Sequence, residues 1–301
     1  MTALLWGLVL VLERLPEAAL APIAQVLAAL LYRVVRYRRK VLLENLALAF
    51  PELTPAERRA LGARVMVHLC LTLLETLRLR RGVKEGWVGK VRKVGEEHLE
   101  RAIDSGRGVL ALTLHLGSFE LVAGLLAHEL KARGRARSAL VVKPFGPGLD
   151  AVLGRLRENA GFELIRAGSS SAAKDILRTL RAGQIVTFVL DQNATRNQGV
   201  FVDFFGKPAC TMSALAIFAA RTNAVVLPVA VWREGPGAHV FEAFAPIEDA
   251  PPPDVDPVVF RTARYTRFIE ERIRAHPDQW FWTHKRWRTR PSPTAPHTEK
   301  E

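Results

Sequence analysis

Cysteine is almost absent from this chain, with two residues in 301, Cys70 and Cys210. They stand far apart, with no Cys-x-x-Cys spacing and no Cys/His cluster, so neither a disulfide framework nor a zinc site is indicated. Both read as buried small apolar residues. Also missing is an uninterrupted apolar run of the roughly 20 residues that a confident membrane-spanning helix needs. No internal repeat is visible.

Apolar residues are plentiful, 49% against 24% charged, which excludes a disordered polyelectrolyte and allows one large domain or two modest ones with a proper core. The 43 Lys and Arg outnumber the 30 Asp and Glu, leaving a formal charge of +13. Such an excess calls for an acidic partner: nucleic acid, an anionic membrane surface, or an acidic protein or phosphate-bearing substrate. Zinc-finger spacing, an RNP1 pattern and basic-zipper heptads are all lacking, so nucleic acid is not the expected one.

Residues 1–31 are mostly apolar, interrupted by Glu13, Arg14, Pro16 and Glu17, and run into Arg33, Arg36, Arg38, Arg39 and Lys40. A secretory signal peptide has the reverse order, so this segment is expected to stay on the mature protein. The run 2–12 is short, and Pro16 can kink or end it. The reading is a helical hairpin or oblique helix seated in the membrane, its basic flank on anionic headgroups of the cytoplasmic leaflet. An apolar core helix is the alternative. The expected organisation is a membrane-associated segment over 1–40, an α/β domain over 41–291 and a disordered Pro/Thr-rich tail over 292–301.

Thr54-Pro55-Ala56-Glu57 is a helix start, and its helix is expected to run to about Arg81. Beyond it, short apolar runs at 109–114, 139–143, 162–165 and 185–190 alternate with helical patterns at 118–132, 148–160 and 171–181. Further strands are expected at 224–232 and 239–244, and helices from Met212 and over 256–275. Continuous runs such as Val-Leu-Ala-Leu-Thr-Leu belong to strands buried on both faces. The fold class is α/β, a mixed, largely parallel sheet covered by helices.

In open α/β sheets ligands bind beyond the carboxyl ends of the strands. His115 follows one apolar run, and Glu120 falls in the first turn of a helix that Ser118 can cap. With His115 before that helix, the imidazole can fold back onto the Glu120 carboxylate, giving a base and its orienter. A buried histidine satisfied by a backbone carbonyl is the plainer reading. Asp191, Gln192 and Asn193 close another apolar run, followed by Arg196 and the aromatic stretch 201–205. Here Asp191 either caps a loop or fixes a nearby cation or histidine, while aromatics such as Phe204 and Phe205 line an apolar slot.

These blocks occur in a familiar order: Glu44-Asn45-Leu46, Phe50-Pro51-Glu52, His115-x4-Glu120, Val142-Lys143-Pro144, Arg155-x-Arg157, Asp191-Gln192, Gly199 to Ala209 and Trp280 to Pro291. Across roughly residues 1–291 the chain resembles the bacterial lipid A biosynthesis acyltransferases, the late acyl-adding branch of the lysophospholipid acyltransferase superfamily. That resemblance implies a glycerol-3-phosphate acyltransferase-like fold and acyl transfer from an acyl carrier protein or coenzyme A thioester to a hydroxyl on a lipid A precursor. It places the reaction at the cytoplasmic face of the inner membrane, with no metal and no cofactor beyond the thioester. His115 would be the general base and Glu120 its orienter.

An oxyanion formed at the thioester carbonyl needs a donor or cation, and Lys143 is the candidate, in a block where the family more often has Tyr-Arg-Pro. Arg157 and Arg166 would bind acceptor phosphates or structure the loops, and Asp191 and Gln192 would belong to the substrate site. Acyl carrier protein, a phosphorylated glycolipid and anionic inner-membrane lipids are the expected partners. The C-terminal tryptophans and arginines either meet lipid headgroups or close the core. The same chemistry on a phosphatidylinositol mannoside or a lysolipid is the alternative, and a non-catalytic membrane scaffold is the remaining one.

Overall fold

The structure is a computed structural model that describes residues 2–143, 146–248 and 250–291. The expected tail 292–301 and Pro144 of the Lys143 block lie outside the described residues.

The N-terminal segment forms helix α1 (Thr2–Arg14), breaks at Leu15-Pro16, and continues as α2 (Leu20–Ala29) and a π-helical turn to Val34. Proline supplies the break, because its ring cannot continue the preceding helix. Helix α3 (Arg39–Ala49) then leads to α4 (Pro55–Thr76). The start of α4 is a full capping box: the Glu57 amide donates to Thr54 Oγ1 at 3.3 Å and the Thr54 amide to Glu57 Oε2 at 2.7 Å. The helix ends at Thr76 rather than running to Arg81, and α5 (Leu79–Lys84) follows. At the junction the wholly buried Arg78 donates to Leu15 O at 2.9 Å and stacks on Trp87, holding the chain where the axis changes.

The sheet has seven strands: β1 (Val91–Val94), β2 (Val109–Thr113), β3 (Ser138–Val142), β4 (Phe162–Arg166), β5 (Ile185–Val189), β8 (Val225–Gly235) and β9 (Ala238–Ala243). Their order is β1-β9-β8-β2-β5-β3-β4, with every pair parallel except the β8–β9 hairpin. All five residues of β2 are buried, as its unbroken apolar run demands. Strand β1 has no counterpart in the sequence reading, because Val-Arg-Lys-Val lacks the apolar run that marked the others. The linking helices are α6 (Glu96–Asp104), α7 (Phe119–Ala132), α8 (Pro147–Asn159), α9 (Ala172–Arg181), α10 (Ala214–Arg221) and α11 (Pro257–Ala275).

Strands β6 (Gly199–Phe204) and β7 (Lys207–Met212) form a separate antiparallel hairpin against α11. Phe205 and Gly206 make its turn, both with positive φ (57° and 70°), the backbone that a two-residue hairpin loop requires. This places Phe204 and Phe205 beneath Trp280, Trp282 and Trp287. The core is continuous from Val9 and Leu12 of α1 through the sheet to Trp280 and Trp282, and both cysteines are buried in free form.

Candidate active site

Strands β2 and β5 are parallel neighbours, and each delivers a polar side chain just past its carboxyl end: His115 from the first and Asp191 from the second. Their side chains meet at 2.7 Å, His115 Nδ1 to Asp191 Oδ1. The second carboxylate oxygen accepts from the His115 backbone amide at 3.1 Å and from Trp280 Nε1 at 2.6 Å. Three donors thus converge on a carboxylate that is 2% exposed. Burial by itself would raise the Asp191 carboxyl, but the neighbouring histidine and these hydrogen bonds overrule it and hold it at about 2. An ionised Asp191 on Nδ1 selects the tautomer with its proton there and makes Nε2 the accepting nitrogen.

Nε2 faces a long cavity. The sheet contributes one face of alternating residues to its lining, among them Ala111, Thr113, Leu140, Thr187, Val189 and Phe162. Opposite runs one stripe of α7: Phe119, Ala123, Leu126, Ala127 and Leu130, spaced to share a helix face. The tunnel therefore descends from His115 along α7 toward the amino ends of the strands, where Leu130, Ser138 and Phe162 lie. Over the 11 steps from Phe119 to Leu130 a helix rises about 16 Å at about 1.5 Å per residue.

Glu120 does not orient His115. It also lines the cavity, but Arg157 of α8 takes its carboxylate bidentately, Nε to Oε1 at 2.5 Å and Nη2 to Oε2 at 3.0 Å. Glu120 belongs to the first turn of α7 and points along the cavity wall toward α8, so the role of holding the imidazole passes to Asp191. Burial opposes the Arg157 charge, and the Glu120 carboxylate more than restores it, lifting the guanidinium above its ordinary value. Ser118 does not cap α7 either, because its hydroxyl goes to Glu75 Oε2 at 2.6 Å.

Gln192 and Lys143 stand at the mouth of the cavity. Gln192 Nε2 lies 3.3 Å from His115 Nε2. Lys143 is exposed beyond the end of β3; desolvation at the mouth pushes its ammonium below the usual lysine value, with Asp191 pulling the other way. Arg166, at the end of β4 beside Val142, is exposed and makes no side-chain hydrogen bond among the described residues. Phe204 and Phe205 do not line the cavity. The hairpin turn carries them into the aromatic core, where Arg286 lies 4.8 Å over the Phe204 ring and Arg274 4.4 Å over Phe205.

The C-terminal stretch closes the core instead of presenting indoles to solvent: Trp280 is 2% exposed, and Trp282 and Arg286 are wholly buried. Arg286 donates to Cys210 O at 2.8 Å and to the Thr211 hydroxyl. Asn45 of α3 donates to the Trp282 and His284 carbonyls, both at 2.7 Å, and the Asn193 amide donates to His284 Nε2 at 3.0 Å. Asn193 is thereby a tie between the Asp191 loop and this closing strap. The sequence reading missed Trp280 as a site residue. Its signal was a tryptophan whose only polar atom needs an acceptor when buried.

A histidine held by a buried carboxylate through one ring nitrogen, with the other at the mouth of an apolar tunnel, can deprotonate a hydroxyl beside a bound aliphatic chain. That is the equipment of an O-acyltransferase. Comparison with known proteins agrees, and the chain belongs to the bacterial lipid A biosynthesis acyltransferase family, which it matches over residues 1–289. It is similar to the lipid A biosynthesis lauroyltransferase of Escherichia coli K12, 25% identical over 294 residues, covering 95% of this chain and 90% of that protein. The palmitoleoyltransferase of the same strain is 26% identical over 287 residues, 92% and 88% of the two chains. Its myristoyltransferase is 24% identical over 266 residues, 88% and 79% of the two chains.

Proposed function

We propose that this protein moves a fatty acyl chain from an acyl carrier protein or coenzyme A thioester to a hydroxyl of a lipid A precursor at the cytoplasmic face of the inner membrane. His115 is the general base. The observation that carries the reading is the placement of His115 Nε2 at the mouth of the apolar tunnel, with Nδ1 fixed on Asp191.

The acyl chain lies in the tunnel with its thioester carbonyl at the mouth. Nε2 takes the proton of the acceptor hydroxyl as its oxygen attacks that carbonyl, and Asp191 stabilises the imidazolium. Lys143 and the Gln192 amide supply charge and a donor where the carbonyl oxygen becomes an oxyanion. Collapse of the tetrahedral intermediate breaks the carbon–sulfur bond, and the imidazolium returns its proton to the thiolate. An ester and a free thiol result, and no cofactor beyond the thioester is required. With bonds of about 1.5 Å in a zigzag, an extended chain advances about 1.25 Å per carbon. A tunnel about 16 Å long therefore suits an acyl chain of about 13 carbons.

The N-terminal helices support membrane seating. Leu4, Leu8 and Val11 form one exposed stripe on α1, and Ile23, Val26, Leu30 and Val34 another on α2 and its extension. The helical stretch Glu17–Val34 is long and apolar enough to cross a membrane, and only 22% of it is buried against the protein. Arg33, Arg36, Arg38, Arg39 and Lys40 follow at once, suited to anionic headgroups. The charge of +13 also favours encounter with acyl carrier protein and a phosphorylated glycolipid, both acidic.

Mass spectrometry of a total bacterial lipid extract, after incubation with purified protein and labelled acyl carrier protein thioesters, tests the reading, with His115→Ala as the blank. A newly acylated lipid A precursor is the expected product. Label on a phosphatidylinositol mannoside or lysolipid moves the acceptor, and no transfer from either thioester overturns the assignment.

A further inference from the structure

Beneath the turn that carries His115 lies a buried ionic cluster that the acyl-transfer chemistry does not use. Glu75 of α4 and Arg233 of β8 are 4% and 5% exposed. They are joined by hydrogen bonds from Arg233 Nη2 and Nε to Glu75 Oε2 at 2.5 and 3.1 Å. Arg233 Nη2 also donates to Thr72 Oγ1 at 2.8 Å, and Nη1 lies 3.3 Å from His68 Nδ1. A buried pair of this kind adds little to stability, because desolvating both charges offsets their attraction. Its contacts show instead what it fixes.

Two hydroxyls, one from the cluster and one from the His115 turn, link the two. Thr72 Oγ1 donates to Gly117 O at 2.7 Å, and Glu75 Oε2 accepts from Ser118 Oγ at 2.6 Å. Gly117 has φ of +56°, and a Cβ there would come within 2.7 Å of the Trp232 Cα and the Val231 carbonyl, so the turn is pressed directly onto β8 beside Arg233.

The other half of the dyad is reached through the closing strap. The Gln279 side chain grips the main chain of Arg233 on both sides, accepting from its amide at 2.8 Å and donating to its carbonyl at 2.9 Å. The Gln279 carbonyl accepts from the Gly117 amide at 3.2 Å. The next residue, Trp280, bridges to Leu116 and holds Asp191. One cluster therefore abuts the turn bearing His115 and the tryptophan that holds Asp191.

We infer that the Glu75–Arg233 pair, with Thr72 and Ser118, is a positioning device that sets the His115–Asp191 distance from behind the turn. The inference rests on the proposed role of His115 as base. None of the four residues touches the cavity where substrate would lie. Their effect runs through Gly117 and Trp280, and a displacement of about 1 Å at a reacting group can cost about 100-fold in rate.

The test compares three variants of the full chain: the volume-preserving Glu75→Met/Arg233→Met, Thr72→Val/Ser118→Ala, which keeps the ion pair and removes only its links to the turn, and Thr72→Ser. Urea midpoints report folding, kcat and KM report turnover, and the low-field proton resonance of an imidazole N–H held by a carboxylate reports the dyad. The Met/Met and Val/Ala variants are expected to keep a near-native midpoint and KM, lose kcat at least tenfold, and broaden or lose that resonance. Thr72→Ser, which keeps the hydroxyl, is expected to retain both. Wild-type kcat and an intact resonance in either folded double variant overturn the inference. If the wild-type protein transfers no acyl chain the base assignment fails, while the resonance still decides whether the cluster sets the dyad.

Discussion

His115 and Asp191 are 76 positions apart in the chain and are neighbours in register. Strands β2 and β5 pair Val109 with Ile185 and Thr113 with Val189, an offset that remains 76, so the residue two places past each strand end meets its counterpart. Glu120, five residues from His115 in sequence, is turned away by the geometry of a helix start. Replacing Asp191 by Asn should leave the fold in place, since the amide oxygen can still accept from Trp280. It should also favour the tautomer with its proton on Nε2 and its lone pair on Nδ1, lowering kcat by about 10³–10⁴-fold with KM little changed. Steady-state acyl transfer checks it, and a variant within tenfold of wild type would remove Asp191 from the mechanism.

Glu120 and Arg157 should behave as a structural pair in the cavity wall. Both are nearly buried, so removing one partner leaves an uncompensated charge and should cost about 3–5 kcal/mol. Glu120→Met with Arg157→Met should recover most of that loss. Urea titration of the two single variants and the double measures the coupling. Activity in the double variant then shows what the pair contributes beyond stability, because its wall position next to the thioester end of the tunnel is retained.

The architecture was legible because apolar runs mark strands buried on both faces, and the α/β class, the capping box at Thr54 and most elements of the sheet follow from that pattern. Strand β1 escaped because its alternating Val-Arg-Lys-Val carries no run. The two halves of the dyad were each legible as polar residues closing an apolar strand. The reading that Asp191 fixes a nearby histidine is met by His115 Nδ1 at 2.7 Å; which histidine was not legible, because adjacency of β2 and β5 is set by sheet order, which skips from β2 to β5 before β3. Short sequence spacing favoured Glu120, and only the register of two distant strands favours Asp191. The fate of Phe204, Phe205 and the tryptophans was hidden for a related reason: an aromatic run reads the same whether it lines a slot or fills a core.

Filling the foot of the tunnel should shorten the preferred acyl chain. Leu130 stands in the last part of α7 opposite Phe162 and Ser138, where the cavity meets the first residues of β4 and β3. Leu130→Trp should shift selectivity toward chains about two to four carbons shorter, each excluded methylene forfeiting about 0.8 kcal/mol of burial. Phe162→Ala should shift it toward longer chains while costing about 3–5 kcal/mol of stability. Competition among thioesters of different lengths, read by mass spectrometry of the product, measures both. Unchanged selectivity in both variants would place the acyl chain elsewhere.

Acid should weaken the fold in two separable steps. His284 is buried in the strap, where desolvation, reinforced by the charges of His115, Arg286 and Lys143 and opposed by Asp191, pushes it down to about 4. The unfolded chain has an ordinary value near 6.5 and so binds more protons between about 4 and 6.5. The neutral form, accepting from the Asn193 amide, therefore contributes stability that is complete above about 6.5 and is lost as pH falls toward about 4. Asp191 acts lower, its carboxyl held at about 2 against an unfolded value near 3.9, so its contribution is complete above about 4 and is lost as pH falls through 2. His68, His239 and His276 are also depressed, primarily by burial, and add to the first step. His284→Gln preserves an acceptor without a titrating ring and should reduce the slope of stability between pH 4 and 6.5 by up to about 1.4 kcal/mol per pH unit. Asp191→Asn should flatten the lower step and keep the histidine step, extended to lower pH because the charge opposing the His284 depression is gone. Urea unfolding across a pH series separates the two, and a slope unaffected by His284→Gln would mean that the histidine is already charged in the strap.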